Sequence, residues 1–306
     1  MRILVLGAGG TGGYFGGMLA KAGADVTFLV RSQRAEALAR TGLVIRTPEG
    51  SDTVPVRTVT AAQLDRHFDV VLLSCKAYGL DGAIADLAPA VGPNTSVVPL
   101  LNGLAHYPAL DRAFGAERVL GGLCHIVASV GPEGEIVRQT GLHRFTVGER
   151  AGGLSARVEA LAALCAKAPF QTVASTDVIQ AAWEKFSFLT AMAASTCLMR
   201  ASIGAIMATE NGGNFMRALY AETRAVAQSA GHQPSETAQA EALALLTDPA
   251  SPSTASMLRD IEAGRPTEGD HILGDMLNRA RAAGLETPLL ATARMHVQAY
   301  EVRRRG

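Results

Sequence analysis

The chain has 306 residues, 28 lysines and arginines against 28 aspartates and glutamates, and a formal net charge of zero. Such a balance gives no global field to gather nucleic acid, and the basic run Arg303-Arg304-Arg305 reads as a frayed, solvated terminus. A hydrophobic fraction of 48% over this length is enough to fill two cores.

The four cysteines, Cys75, Cys124, Cys165 and Cys197, stand far apart, with no C-x-x-C pair and no histidine spacing that suggests a metal. They read as small apolar core residues of a protein in a reducing compartment. A strand begins at residue 2, which leaves no room for a basic and then apolar leader, so a cytoplasmic location is expected. The longest apolar stretch, residues 186–199, contains Ser and Thr and is too short for a bilayer; it reads as a buried helix, and no membrane partner is expected.

In chain order, Arg2-Ile3-Leu4-Val5-Leu6 is an apolar strand that runs into Gly7-Ala8-Gly9-Gly10-Thr11-Gly12-Gly13 and then into a helical pattern over residues 14–22. A second strand is expected at residues 26–30. In this setting Gly7 permits the tight turn, Gly9 lets backbone amides approach a pyrophosphate, and Gly12 allows close packing of helix on strand. Ala8, Gly10 and Thr11 complete the loop, and the helix N-terminus faces the anion. The bland alternative is a structural glycine turn, since the chain carries 32 glycines. An NAD site usually ends the second strand with Asp or Glu, whereas this chain has Arg31 there, followed by Ser32, Gln33 and Arg34. A guanidinium pairs bidentately with a 2′-phosphate, so the expected cofactor is NADP(H). The alternative is that Arg31 and Arg34 are merely solvated.

A helix is expected over residues 34–41, then a small hairpin insertion at 43–46 and 53–56. Apolar runs at 69–74 and 96–101 have the character of buried parallel strands and flank a helix over 80–91. Further strands are expected from 118 to 130, at 135–138 and at 144–148, then a helix over 155–168 and a strand near 171–173. Beyond about residue 175 strand signals cease, and helical patterns are broken at Gly204, Gly231, Pro249, Pro252, Gly264 and Gly284. The expectation is an α/β, Rossmann-like doubly wound domain over residues 1–174 and an all-α domain over 175–306 that carries substrate and catalytic groups. The active site is expected between them, over the carboxyl ends of the parallel strands.

Two loops leave strand ends where a nicotinamide and its ribose would lie. One holds Lys76, a cation for the cofactor, and the other holds Asn102, which offers a donor and acceptors to ribose or substrate. Loop solvation and a plain Asn-Gly turn are the alternatives. Glu184 and Lys185 are the only charges in an otherwise apolar and hydroxylic segment, residues 178–199. A lysine there is partly desolvated, which lowers its pKa and suits it to protonate an alkoxide as a carbonyl is reduced. A lysine snorkelling to water is the alternative. A third cluster runs from Ser253 to Glu268, with Pro266 suited to the first turn of a helix and Glu268 near its N-terminus.

Taken together, Gly7-Ala8-Gly9-Gly10-Thr11-Gly12, Lys76-Ala77, Leu101-Asn102-Gly103, Trp183-Glu184-Lys185, Ser256-Met257-Leu258-Arg259-Asp260-Ile261 and Arg265-Pro266-Thr267-Glu268 resemble the ketopantoate reductase (2-dehydropantoate 2-reductase) family over nearly the whole chain. The resemblance implies NADPH-dependent reduction of ketopantoate to pantoate, on the route to coenzyme A. It implies that Lys185 is the catalytic general acid and Glu268 the carboxylate paired with it. Asn102 and Ser256 would contact substrate, and Arg31 and Lys76, with Asn102 and Glu268, would hold the cofactor. Three positions depart from the family pattern: Leu189 and Ala193 stand where members carry Asn, and Leu273, where many relatives have Asn, is a lesser departure. Amides lost there cost roughly 1 kcal/mol each in hydrogen bonding, which opens the pocket to another 2-oxo acid. Ser187, Thr190 and Thr196 are candidate replacements, Thr196 lying nearest the Lys185 face of a regular helix. A non-catalytic NADP-binding regulator is the reading from another class, and intact Lys185 and Glu268 argue against it. The expected partner is a small 2-oxo acid; a homodimer is also expected, if an apolar helix of the second domain faces a second copy.

Overall fold

The computed structural model describes residues 1–306. They form two compact units: residues 1–101 with 106–179, and residues 102–105 with 180–306. The division falls at residue 179, later than the expected 174, because strand pairing continues to Ser175 and Val178 packs onto Gly121 and Gly148 of the first unit.

In the first unit a parallel sheet is built from β1 (Arg2–Leu6), β2 (Asp25–Leu29), β5 (Arg57–Val59), β6 (Val70–Leu73) and β7 (Ser96–Pro99) in the order β5-β2-β1-β6-β7. All four pairings are parallel. Ile3, Leu4, Val5, Val71, Leu72 and Leu73 are wholly buried, which is why these strands read as unbroken apolar runs. The order reverses on either side of β1, and that switch point is where such sheets bind ligands beyond their carboxyl ends. The connections carry α1 (Gly10–Lys21), α2 (Ser32–Thr41) and α3 (Leu80–Leu87), and α4 (Tyr107–Phe114) follows β7.

A second sheet departs from the sequence expectation. The hairpin β3 (Leu43–Thr47) and β4 (Gly50–Val54) is no isolated insertion, since β3 pairs in parallel with β9 (Ile136–Gly148). That 13-residue strand replaces the two short ones expected at 135–138 and 144–148. Its polar middle looks like a turn, yet β8 (Gly121–Val130) ladders against it with a bulge between Ile126 and Ala128. After α5 (Ala156–Cys165), β10 (Gln171–Ser175) completes the order β10-β9-β3-β4. Pro55, which has no N–H to give a ladder, lies just past β4, and the chain then crosses to β5 in the parallel sheet.

The second unit contains helices and no strands. Its spine is α6 (Val178–Met199), of which residues 178 and 179 belong to the first unit, and it closes where Arg200 takes φ 53, a left-handed stop. Then come α7 (Ile203–Met207), α8 (Gly212–Ser229), α9 (Glu236–Leu246), α10 (Ser256–Glu262), α11 (Asp275–Ala282) and α12 (Pro288–Arg305). A single π-helical turn, Asp270–Gly274, leads into α11. The basic tail is the last turn of α12, with Arg304 paired to Glu301, so it is helical where fraying was expected; cations are favourable at that end of the dipole. No helix is long and apolar enough to cross a membrane.

Candidate active site

The first unit holds a phosphate cradle. Gly7 takes φ 87 and its N–H binds the Leu29 carbonyl at 3.0 Å, turning the chain from β1 toward the helix. A Cβ at Gly12 would lie 2.6 Å from the Gly7 carbonyl oxygen and 2.8 Å from the Ser74 side chain, so this glycine lets α1 pack onto the turn and the β6 loop. A Cβ at Gly9, in contrast, would meet nothing within 4 Å: the loop is open where a pyrophosphate would approach. No side chain caps α1 and no acid stands in its first turn, leaving its N-terminal N–H groups and positive dipole end to an anion. The helix starts at Gly10, not at residue 14, because the glycine run itself forms its first turn, with Gly13 N–H on the Gly9 carbonyl at 2.7 Å. These residues fit a dinucleotide.

Sequence reasoning missed the reason for Gly10. A Cβ there would stand 2.6 Å from the Ala128 carbonyl oxygen, beside the β8 bulge, so Gly10 is spent on the second sheet. Of the two arginines after β2, Arg34 is drawn back, donating to the Gly134 carbonyl at 2.6 Å and the Ala8 carbonyl at 3.4 Å. Arg31 remains exposed at the N-cap of α2. Lys76 is half-buried at the start of a single 3-10 turn that follows β6.

The second unit gathers the other predicted residues. Trp183 is buried, stacks on His232 at 5.8 Å and carries the Arg279 guanidinium 5.1 Å above its ring. Glu184 accepts from Gln180 at 3.3 Å and from the Ser235 N–H at 3.0 Å. These anchors fix the rotation of α6, and Lys185, half-buried beside them, donates from Nζ to Asn102 Oδ1 at 3.0 Å. Lysine and asparagine, 83 residues apart in sequence, thus form a charge-assisted pair. Glu268 is 7% exposed and stands two residues before the π-helical turn, its carbonyl accepting from Ile272 N–H at 2.9 Å. Pro266 does not open a helix: Thr267 is held by Glu301 at 2.7 and 2.8 Å, and helical structure begins only after Glu268.

Ser256 is the first residue of α10 and half-buried. Of the proposed amide replacements, Ser187 is occupied with the Trp183 carbonyl at 2.9 Å. Thr196 donates to the Met192 carbonyl at 2.7 Å and accepts from Ala255 N–H at 3.3 Å, so it fixes the start of the Ser256 helix. Thr190 is fully buried five residues from Lys185, about 140° around the helix. None of the three offers a hydroxyl beside Lys185. The sequence reading also passed over His271, three residues beyond Glu268 and hydrogen-bonded to the Asn102 backbone; its i+3 spacing from Glu268 was the available signal.

Residues 3–152 match the family model described as "Ketopantoate reductase PanE/ApbA", and residues 177–301 match its C-terminal counterpart. The chain belongs to the ketopantoate reductase family. It is 38% identical to the Bacillus subtilis protein named "Uncharacterized oxidoreductase YkpB", over 98% of this chain and 99% of that one. It is 28% identical to the 2-dehydropantoate 2-reductase of Mesorhizobium japonicum, over 95% and 94% of the two chains. The crystal structure of 2-dehydropantoate 2-reductase from Methylococcus capsulatus superposes with a TM-score of 0.88 at 30% identity, covering 100% of this chain and 98% of that one. As a member of this family the protein is an oxidoreductase that works with a nicotinamide dinucleotide.

Three imidazoles of this ketopantoate reductase family member carry a pH signature. Burial, first of all, holds His143, His271 and His296 below the ordinary value of 6.5; around His271 the carboxylates of Glu268 and Asp275 oppose it without prevailing. The folded protein therefore binds fewer protons than the unfolded chain, and stability declines as the pH falls through about 6.5 toward the folded-state values. Glu49, Glu149 and Glu301, held below the usual 4.5, add their loss only at lower pH. The melting temperature, followed by calorimetry, is expected to be level above about pH 7 and to drop between about pH 6.5 and 5. A level profile across that window would mean the three rings titrate as in the unfolded chain.

Proposed function

We propose that this protein reduces a 2-oxo acid with NADPH, that ketopantoate is its substrate, and that pantoate for coenzyme A is its product. The single observation that carries this reading is Lys185 Nζ held 3.0 Å from Asn102 Oδ1 on an apolar helix. When bound, the reduced nicotinamide supplies the hydride. Lys185 supplies the proton: its ammonium stabilises the carbonyl oxygen as charge grows there, then protonates it to the hydroxyl. Asn102 takes one of the three ammonium N–H groups and so aims the remaining two. Ser256, at the start of α10, donates to the substrate's polar groups, and buried Glu268 is the carboxylate that acts with the lysine.

The cradle around Gly9 binds the pyrophosphate, and exposed Arg31 binds the 2′-phosphate of NADP(H). Losing a charge-assisted pair of about 1.5–3 kcal/mol, Arg31→Ala is expected to raise KM for NADPH about 10- to 100-fold and to leave KM for NADH unchanged. Equal shifts for the two cofactors would remove Arg31 from phosphate recognition.

A second reading is favoured by the face that α6 presents near Lys185. Ala193 and Leu273 are buried, Leu189 is half-buried one turn from the lysine, and the Ser187 and Thr196 hydroxyls are committed to backbone carbonyls. Such a face suits a branched 2-oxo acid with an apolar side chain at least as well as one with a terminal hydroxyl. NADPH oxidation with ketopantoate and with a panel of branched 2-oxo acids separates the readings. Highest kcat/KM with ketopantoate supports the first, preference for an apolar 2-oxo acid the second, and binding of NADPH without turnover of any would leave a regulator.

A further inference from the structure

The loop that carries Asn102 is gripped on two sides within the helical unit. Gly103 takes φ 79, and a Cβ on it would stand 3.4 Å from His271 Cδ2, 3.4 Å from the His271 carbonyl oxygen and 3.5 Å from Phe186 Cε2. His271 is hydrogen-bonded to the backbone of Asn102, and because that bond favours the protonated ring, the imidazole N–H is the donor and the carbonyl the acceptor. From the same residue, Asn102 Oδ1 accepts from Lys185 Nζ at 3.0 Å. A continuous line thus runs from the His271 ring through one asparagine to the lysine ammonium.

His271 stands in the π-helical turn Asp270–Gly274, a widened turn of the kind that re-aims side chains at functional sites. The turn also carries the ion pair of Asp270 with Arg294, whose guanidinium lies against Gly269 and Gly274. A histidine that merely filled space there would need no donor, and phenylalanine would serve as well. The bond to the Asn102 carbonyl is a specific use of the ring, on the residue whose side chain holds the proton-donating group.

We propose that His271 is a positioning residue for Lys185: by tying down the Asn102 backbone it fixes the side-chain oxygen that aims the lysine ammonium. The inference rests on Lys185 being the proton donor, as argued above. His271→Phe keeps a ring and removes the donor, whereas His271→Gln keeps a donor able to reach the same carbonyl. With ketopantoate and NADPH, His271→Phe is expected to lower kcat about tenfold with KM for NADPH unchanged, since small misplacements of an acting group have effects of this order. His271→Gln should restore most of the rate. In an Asn102→Ala background, His271→Phe should cost nothing more, because the residue through which it acts is gone.

Amide hydrogen exchange of residues 101–104 gives a readout independent of turnover: it should rise in His271→Phe and stay near wild type in His271→Gln. If phenylalanine does not fold, His271→Met supplies the same comparison. Equal losses in the phenylalanine and glutamine variants, a fully additive loss in the Asn102→Ala background, or unchanged exchange in the loop would each overturn the proposal. Full activity in Lys185→Ala would instead refute the catalytic reading on which it rests, and the exchange measurement would still decide whether His271 clamps the loop.

Discussion

Lys185→Ala is expected to bind NADPH as the wild type does and to lose about 10²–10⁴-fold in kcat, the range for removing a general acid, equivalent to about 3–5 kcal/mol of transition-state stabilisation. Lys185 lies on α6 in the helical unit, while the phosphate cradle is built from β1, α1 and β6, so its removal leaves the groups that bind the dinucleotide phosphates in place. The loss should fall on kcat and kcat/KM together, because the proton is needed only as the carbonyl oxygen gains charge. Lys185→Arg should not rescue the rate: a guanidinium holds charge but gives up its proton too reluctantly. A variant retaining more than about a tenth of the wild-type kcat would assign the proton to another group or to water. The side chain is only half-buried, so its truncation should move the melting temperature little.

Gly12→Ala is expected to weaken NADPH binding about 10- to 100-fold and to destabilise the fold by about 1–3 kcal/mol, the usual cost of forcing a methyl into a filled space. The methyl would meet the Gly7 carbonyl oxygen at 2.6 Å, and that oxygen belongs to a turn already fixed by its bond to Leu29. Either α1 moves away from the turn or the turn opens, and both misplace the N–H groups that face the anion. Gly9→Ala is the informative partner. At φ −87 a side chain is unstrained, and its Cβ would meet no protein atom within 4 Å, so the melting temperature should be that of the wild type. The methyl would occupy the space through which the pyrophosphate reaches the backbone, and affinity for NADPH should fall about tenfold or more. Unaltered NADPH binding in Gly9→Ala, read by cofactor fluorescence, would reduce the glycine run to a structural turn.

Much of this was legible in the sequence wherever the signal was local. The apolar runs of β1, β6 and β7 read as buried parallel strands because both faces of such a sheet are covered, and their residues are indeed almost wholly buried. The all-helical half was legible from its composition and its glycine and proline breaks. The second sheet was not: its longest strand, β9, has a polar middle that reads as a turn, and only the ladder with β8 keeps it extended. In the same way the glycine run was legible as a phosphate turn, while the part Gly10 plays against Ala128 depends on a strand more than a hundred residues away.

The sequence by itself determined the family, the α/β and all-α halves and the dinucleotide turn, because periodicity, glycine placement and short motifs are properties of neighbouring residues. Only the tertiary structure decided which of those residues meet. Arg34, which follows Arg31 in the same cationic group, is withdrawn onto two backbone carbonyls; Thr196 was a candidate replacement for the missing amides and is spent on the Ala255 N–H. Lys185, Asn102 and His271 come from three segments and become one hydrogen-bonded line. The physical reason is that a buried donor or acceptor must be satisfied by whatever packing brings within about 3 Å, and that partner is chosen by the fold.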